Sequence, residues 1–157
     1  MSYKVKGVKE HRGHEGEALS QCRLYRNNKV VAFYSDGDWG GEAIIDWFKD
    51  GEEDLLKEHI KDMTWTCLEG KGLPMEPDIF IRDLIARYMY EKEMKRLMKT
   101  RAVFVENGAL FEIKLKGGAK PDQRLFDYVQ EKYPNATVLN ILPMDKAVDV
   151  YMKNVEI

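Results

Sequence analysis

The sequence predicts an α+β fold: an N-terminal antiparallel β-meander, a long central helix, and a C-terminal unit of β-hairpin, helix, strand and helix. Three observations carry this. Runs of strand composition separated by Gly- and Asn-containing turns fill the first third of the chain. Asp78 to Thr100 then places Ile81, Leu84, Ile85 and Tyr88 at helical spacing. Further on, Asn107-Gly108 sits between two alternating apolar runs, the sequence signature of a hairpin with a tight turn.

Taken in order, Tyr3 to Val8 alternates apolar and polar residues and predicts a first strand. Ala18 to Tyr25 predicts a second. Arg26-Asn27-Asn28-Lys29 is the turn after it, because Asn tolerates left-handed backbone angles. Val30 to Tyr34 lacks alternation, which predicts a third strand buried on both faces. Gly40-Gly41 allows a sharp bend, and Glu42 to Phe48 is expected as a fourth strand in preference to a short helix. Asp50 to Asp62 opens on carboxylates, which complement the N-terminal end of a helix dipole, and sets Leu55, Leu56, His59 and Ile60 on one face. Thr64 to Leu68 is a short strand.

The breaker-rich segment 70–77 follows. A chain of 157 residues fits a single domain over 1–157. If it divides into lobes, 1–70 and 78–157, the expected boundary is the 70–77 linker. In the long helix Lys92, Lys95, Arg96 and Lys99 fall on the azimuth of the Ile81–Tyr88 stripe, while Met94, Leu97 and Met98 lie elsewhere. Either that helix bends, or its second half projects past the core or packs against something else.

Arg101–Val105 and Ala109–Leu115 form the predicted hairpin. Pro121 opens a helix bearing Leu125, Phe126, Val129 and Tyr133, which Pro134-Asn135 ends. Thr137 to Leu142 is a buried-type strand, and the step from Leu115 through the helix to Val138 suits a right-handed crossover to a parallel neighbour. Pro143 to Tyr151 is the final helix.

Composition narrows the function classes. With 44% hydrophobic and 33% charged residues the chain matches soluble globular proteins. A net charge of −2 argues against bulk neutralisation of phosphate and against mimicry of a polyanion. Cys22 and Cys67 form no short-spaced metal or redox pair, no stretch resembles a signal peptide, and no apolar run approaches bilayer length. The expectation is a cytoplasmic protein with reduced thiols.

Two Gly-rich turns display the polar specialists. His11-Arg12-Gly13-His14-Glu15-Gly16-Glu17 is one, and Ser35-Asp36-Gly37-Asp38-Trp39-Gly40-Gly41 is the other; a meander would carry both to one edge. His11, His14, Asp36 and Asp38 are the candidate ligands for a divalent metal, since imidazole and carboxylate suit zinc, manganese or iron. Their spacing matches no helical zinc motif. The second turn lacks the later Glu of a calcium loop and the Lys of a phosphate-cradling loop. Trp39, with Asp36 and Asp38, is a candidate protein-binding anchor, because Trp is enriched at interface hot spots.

Lys92, Lys95, Arg96 and Lys99 are candidate binding residues for an acidic partner. Extended to Arg101, the patch is also a candidate for nucleic acid. The plainer reading is a solvated helix terminus whose cations complement the dipole. Trp47, Phe48 and Trp65 are expected in the core, His59 as structural, and Cys22 and Cys67 as small buried hydrophobes. No catalytic residue is nominated.

The run His14-Glu15-Gly16, Leu24-Tyr25, Lys29-Val30-Val31, Ser35-Asp36-Gly37 and Gly40-Gly41 resembles a pattern in uncharacterised small phage and prophage proteins. It spans about the first quarter of the chain. The resemblance implies a phage-encoded accessory protein. The leading expectation is therefore a non-enzymatic protein without a cofactor that engages a host or defence-system protein in the host cytoplasm. The alternatives are a metal-dependent enzyme acting on a phosphate-containing or nucleotide substrate, with Glu15 or Glu17 as base, and a nucleotide or small-molecule sponge.

Overall fold

The computed structural model describes residues 1–37, 41–66 and 69–155. The fold is α+β, as the sequence predicts. The chain divides into two compact units, Met1–Tyr88 and Met89–Ile157.

In the first unit four strands form an antiparallel meander in the order β1 (Tyr3–Arg12), β2 (Ala18–Arg26), β3 (Lys29–Ser35) and β4 (Ile44–Trp47). β1 runs past its expected end at Val8. Gly7, at φ 63°, places Gly7 and Val8 opposite a single β2 position, and the bulge lets pairing resume at Lys9. His11 and Arg12 are therefore strand residues paired with Leu19 and Ala18. The turn itself is 13–17, closed by Gly13 N–H donating to the Glu17 carbonyl at 2.9 Å. Asn27 and Asn28 both take positive φ (49° and 68°), as a two-residue turn matched to strand twist demands.

Helix α1 (Glu52–Ile60) buries Glu52, Leu56 and Ile60 at a spacing of four. Glu52 receives two 2.7 Å hydrogen bonds from Arg26, which joins α1 to the end of β2. The guanidinium holds the Glu52 carboxyl below its ordinary range. His59 is structural: its ring lies 5.0 Å from Tyr3 and 5.9 Å from Phe80. Trp47 and Trp65 are half-buried, but Phe48 is exposed, contrary to the sequence expectation of a core position. It stands beyond the end of β4, held by a backbone bond to Val31 that leaves its ring outside.

The segment 70–77 contains strand β6 (Gly72–Pro74), paired with β5 (Thr64–Thr66), and belongs to the first unit. The division of the chain falls inside helix α2 (Pro77–Met98). The first half of α2 buries Ile81 and Ile85; the second half buries Met94 and Leu97.

In the second unit β7 (Arg101–Glu106) and β8 (Ala109–Lys114) form the expected hairpin, with Asn107 and Gly108 at positive φ. Helix α3 (Gln123–Lys132) is capped by the Asp122 carboxylate, which accepts from Leu125 N–H at 3.2 Å. The following strand departs from expectation. β9 is only Thr137–Val138, and it pairs antiparallel with β7, giving the order β8-β7-β9. β8 and β9 do run in the same direction, but β7 lies between them.

Beyond Val138 the chain turns into a 3-10 segment, Leu139–Ile141, and the Asn140 side chain continues the ladder. Its Oδ1 accepts from Val103 N–H at 2.8 Å and its Nδ2 donates to the Arg101 carbonyl at 3.0 Å. Helix α4 (Met144–Asn154) closes the unit. One core cluster joins Met94, Leu97, Val103, Leu139, Ala147, Val148 and Tyr151. A second joins Ala102, Phe104, Val129, Ala136 and Val138.

Candidate functional site

The four cations singled out in the sequence come together. Lys92, Lys95, Arg96 and Lys99 line a groove of about 620 Å³ along the second half of α2, with Met89, Tyr90 and Glu93. All four cations are exposed, whereas Met94 and Leu97 on the other side of the helix are buried. Of the alternatives the sequence left open, packing against something else describes this half of α2, whose Met94 and Leu97 join the core cluster of the second unit.

The groove combines two kinds of surface. Met89 and Tyr90 are half-buried, and long basic side chains lay apolar methylene stems along a helix while keeping their heads in water. Tyr90 is fixed by an edge contact with Tyr151, ring centroids 6.3 Å apart. Among the charges, Lys95 pairs with Glu91 at 3.3 Å, and Glu91 does not line the groove. Glu93 interacts with the buried Tyr151 hydroxyl; burial first, and then the charge and hydrogen bond of Glu93, hold that phenol above its ordinary range. Among the described residues the lining thus carries four cations and one anion, with the anion engaged, in a chain whose net charge is −2.

The cations stand at i, i+3, i+4 and i+7, so four like-charge pairs lie at i,i+3 or i,i+4 spacing. Each such pair destabilises a helix by roughly 0.2–0.5 kcal/mol at low salt. Together that is about 1–2 kcal/mol before screening. Cations in a last turn recover roughly 0.3–1 kcal/mol from the dipole, and Lys95 and Arg96 lie there. Charge alone is therefore close to neutral for folding, and the apolar lining is what sets this surface apart from an ordinary basic helix end. Arg101, grouped with the patch in the sequence, sits on β7 and pairs with Glu112.

The two Gly-rich turns do share one end of the four-stranded sheet. Arg12 pairs with Ala18, and Ser35 with Ile44, at that end. Asp36, however, has internal partners. Its Oδ2 accepts from Ser20 N–H at 2.8 Å, its Oδ1 accepts from the fully buried Tyr34 hydroxyl, and Arg82 lies 3.6 Å away. Arg82 Nε also donates to Tyr34 Oη at 2.9 Å. Burial and the Asp36 contact push the Tyr34 phenol well above its ordinary value. Asp36 is thus the centre of a strand-to-helix tie.

His11 and His14 are exposed on β1 and in the first turn. Among the described residues no group of three or more His, Cys, Asp or Glu is placed to hold a metal ion. Asp38, Trp39 and Cys67 lie outside the described residues. Cys22 is fully buried, and burial followed by the nearby Asp36 charge pushes its thiol up to about 12. Among the described residues no helix is long and apolar enough to cross a membrane.

Sequence reasoning found the cations and missed Met89, Tyr90 and Glu93. Those three lie off the cation azimuth, and only the width of the groove brings them in. Comparison with family models, with curated proteins and with solved structures gave no match.

Proposed function

We propose that this chain is a non-enzymatic binding protein, and that the groove on the second half of α2 is its capture surface. The observation that carries the reading is the convergence of Lys92, Lys95, Arg96 and Lys99 with Met89 and Tyr90 around one groove of about 620 Å³. Depletion of bound water from apolar stems, with charge at the rim, is how protein interfaces obtain both affinity and orientation. The sequence resemblance in the first quarter of the chain adds the setting: a phage-encoded accessory protein acting in the host cytoplasm on a host or defence-system protein.

The test is a tagged pull-down from bacterial host lysate with the parent chain and the double variant Lys95→Glu/Arg96→Glu. Both residues are exposed, so the variant is expected to keep its fold, checked by circular dichroism and thermal melting. The expected result is specific loss of captured protein in the variant. Identical capture by parent and variant would remove the groove from the function. Trp39→Ala serves as a parallel arm for the second turn.

A further inference from the structure

We propose that the α2 groove takes an acidic amphipathic helix, one that presents carboxylates two turns apart beside an apolar stripe. The inference rests on the binding reading above and deepens it by naming the class of partner.

Charge complementarity gives the sign. The groove lining holds four cations against Glu93, which is engaged with Tyr151, so its occupant must bring negative charge. Geometry gives the spacing. Lys92, Lys95, Arg96 and Lys99 repeat at i, i+3, i+4 and i+7 and cover about 10 Å of helix axis. A helix lying along α2 matches that spacing with carboxylates at i, i+4 and i+7, the pattern of helix-in-groove recognition. The carboxylates of such a partner also offset the four like-charge neighbour repulsions with attractions of their own.

The apolar lining then separates a peptide from a nucleic acid. Phosphate binding needs cations and gains nothing from Met89, whereas an amphipathic helix buries its stripe there. Single-stranded nucleic acid is held by stacking on free aromatic faces. The one aromatic ring among the described lining residues, Tyr90, is packed against Tyr151. The chain's net charge of −2 further disfavours a polyanion that extends beyond the groove.

Three labelled probes test this by fluorescence anisotropy with the full chain at low and physiological salt. The first is a Glu/Leu peptide of about 18 residues, long enough to sample helix, with Glu at i, i+4 and i+7 beside a Leu stripe. The second is the same composition scrambled to destroy the stripe. The third is a single-stranded oligonucleotide of similar length. The amphipathic peptide is expected to bind about tenfold or more tightly than the scrambled one. Lys95→Glu/Arg96→Glu should weaken it about tenfold or more, and the neutral Met89→Gln should weaken it while leaving the weak scrambled-peptide binding unchanged.

Equal binding of the two peptides overturns the proposal, because the apolar lining then reads nothing. Tighter binding of the oligonucleotide overturns it in favour of a phosphate surface. No binding by any probe overturns it as well. Failure here is distinct from failure of the capture function: lysate capture that is lost in Lys95→Glu/Arg96→Glu, together with indifference to the peptide stripe, would leave a binding groove whose occupant is of another class.

Discussion

Replacing Asn140 with Ala should destabilise the second unit by about 2 kcal/mol, and the figure follows from two hydrogen bonds. Arg101, Val103 and Val105 turn their backbone groups to the same edge of β7, because edges alternate along a strand. Val105 faces Thr137 across the ladder. Val103 and Arg101 are the next two rungs, and the backbone of β9 has ended before it reaches them. The Asn140 amide takes its place at 2.8 and 3.0 Å. Truncation leaves the Val103 N–H without a partner at a residue that is fully buried. An orphaned buried donor costs roughly 1–3 kcal/mol. The Arg101 carbonyl belongs to a half-exposed residue and can take water, so it adds little.

Urea denaturation gives the total, and amide exchange at Val103 gives the location: its protection should fall more than that of neighbours bonded to β8. Asn140→Asp sharpens the test. It keeps the acceptor for Val103 but sets a carboxylate oxygen against the Arg101 carbonyl. A protonated Asp can donate again, so its folded-state pKa is raised and its deficit should shrink as pH falls through the carboxylate range. An Asn140→Ala protein within about 0.5 kcal/mol of the parent, with Val103 exchange unaltered, would refute the reasoning.

Three further outcomes are expected. At Gly37 an added Cβ would stand 2.4 Å from the Gly41 carbonyl oxygen and 2.5 Å from that of Glu42, so Gly37→Ala should cost about 1–3 kcal/mol by urea denaturation through displaced backbone. Gly16→Ala, with nothing within 4 Å and only its φ of 80° to strain, should cost less. Tyr34→Phe removes one donor to Asp36 and one acceptor for Arg82, and should lower stability by roughly 1–2 kcal/mol while leaving binding at the α2 groove intact by anisotropy. Finally, the Cys22 thiol is raised from 9.0 to about 12, so the stability it contributes is complete below pH 9 and is lost as pH rises toward 12. Cys22→Ala should flatten the fall in stability measured between pH 9 and 10, and an unchanged slope would show that the thiol is not the group responsible.

The parts of the fold that were legible in the sequence are those fixed by neighbouring residues. Asn27-Asn28 and Asn107-Gly108 announce their turns because left-handed backbone is a property of the residue itself. The parts that were not legible depend on partners remote in sequence. β9 stops at Val138 because a side chain two residues later can do the work of a strand, and no periodicity encodes that. Asp36 looked displayed because it lies in a Gly-rich turn; its partner Arg82 comes from a helix 46 residues further on. His11 and Arg12 became strand residues through a bulge at Gly7, a glycine that in sequence reads equally well as a simple strand end.

The groove lies between these two cases, and α2 shows why. A helix that buries Ile81 and Ile85 in its first half and Met94 and Leu97 in its second has no single apolar stripe, so its pattern looks like a stripe that fails. Read at 100° per residue, the failure has content: the azimuth that is apolar through Ile85 returns as Lys92, Lys95, Arg96 and Lys99. A face meant for this chain's own core would have stayed apolar, and a face meant only for solvent would mix both signs, as helix surfaces gain from Glu–Lys pairs at i,i+4. Lys95 keeps one such pair, with Glu91, but the described lining still sets four cations around Met89 and Tyr90 against a single carboxylate, Glu93. What would satisfy the face is a surface supplied from outside that brings carboxylates and an apolar stripe together, and the peptide and charge-reversal measurements probe those two requirements separately.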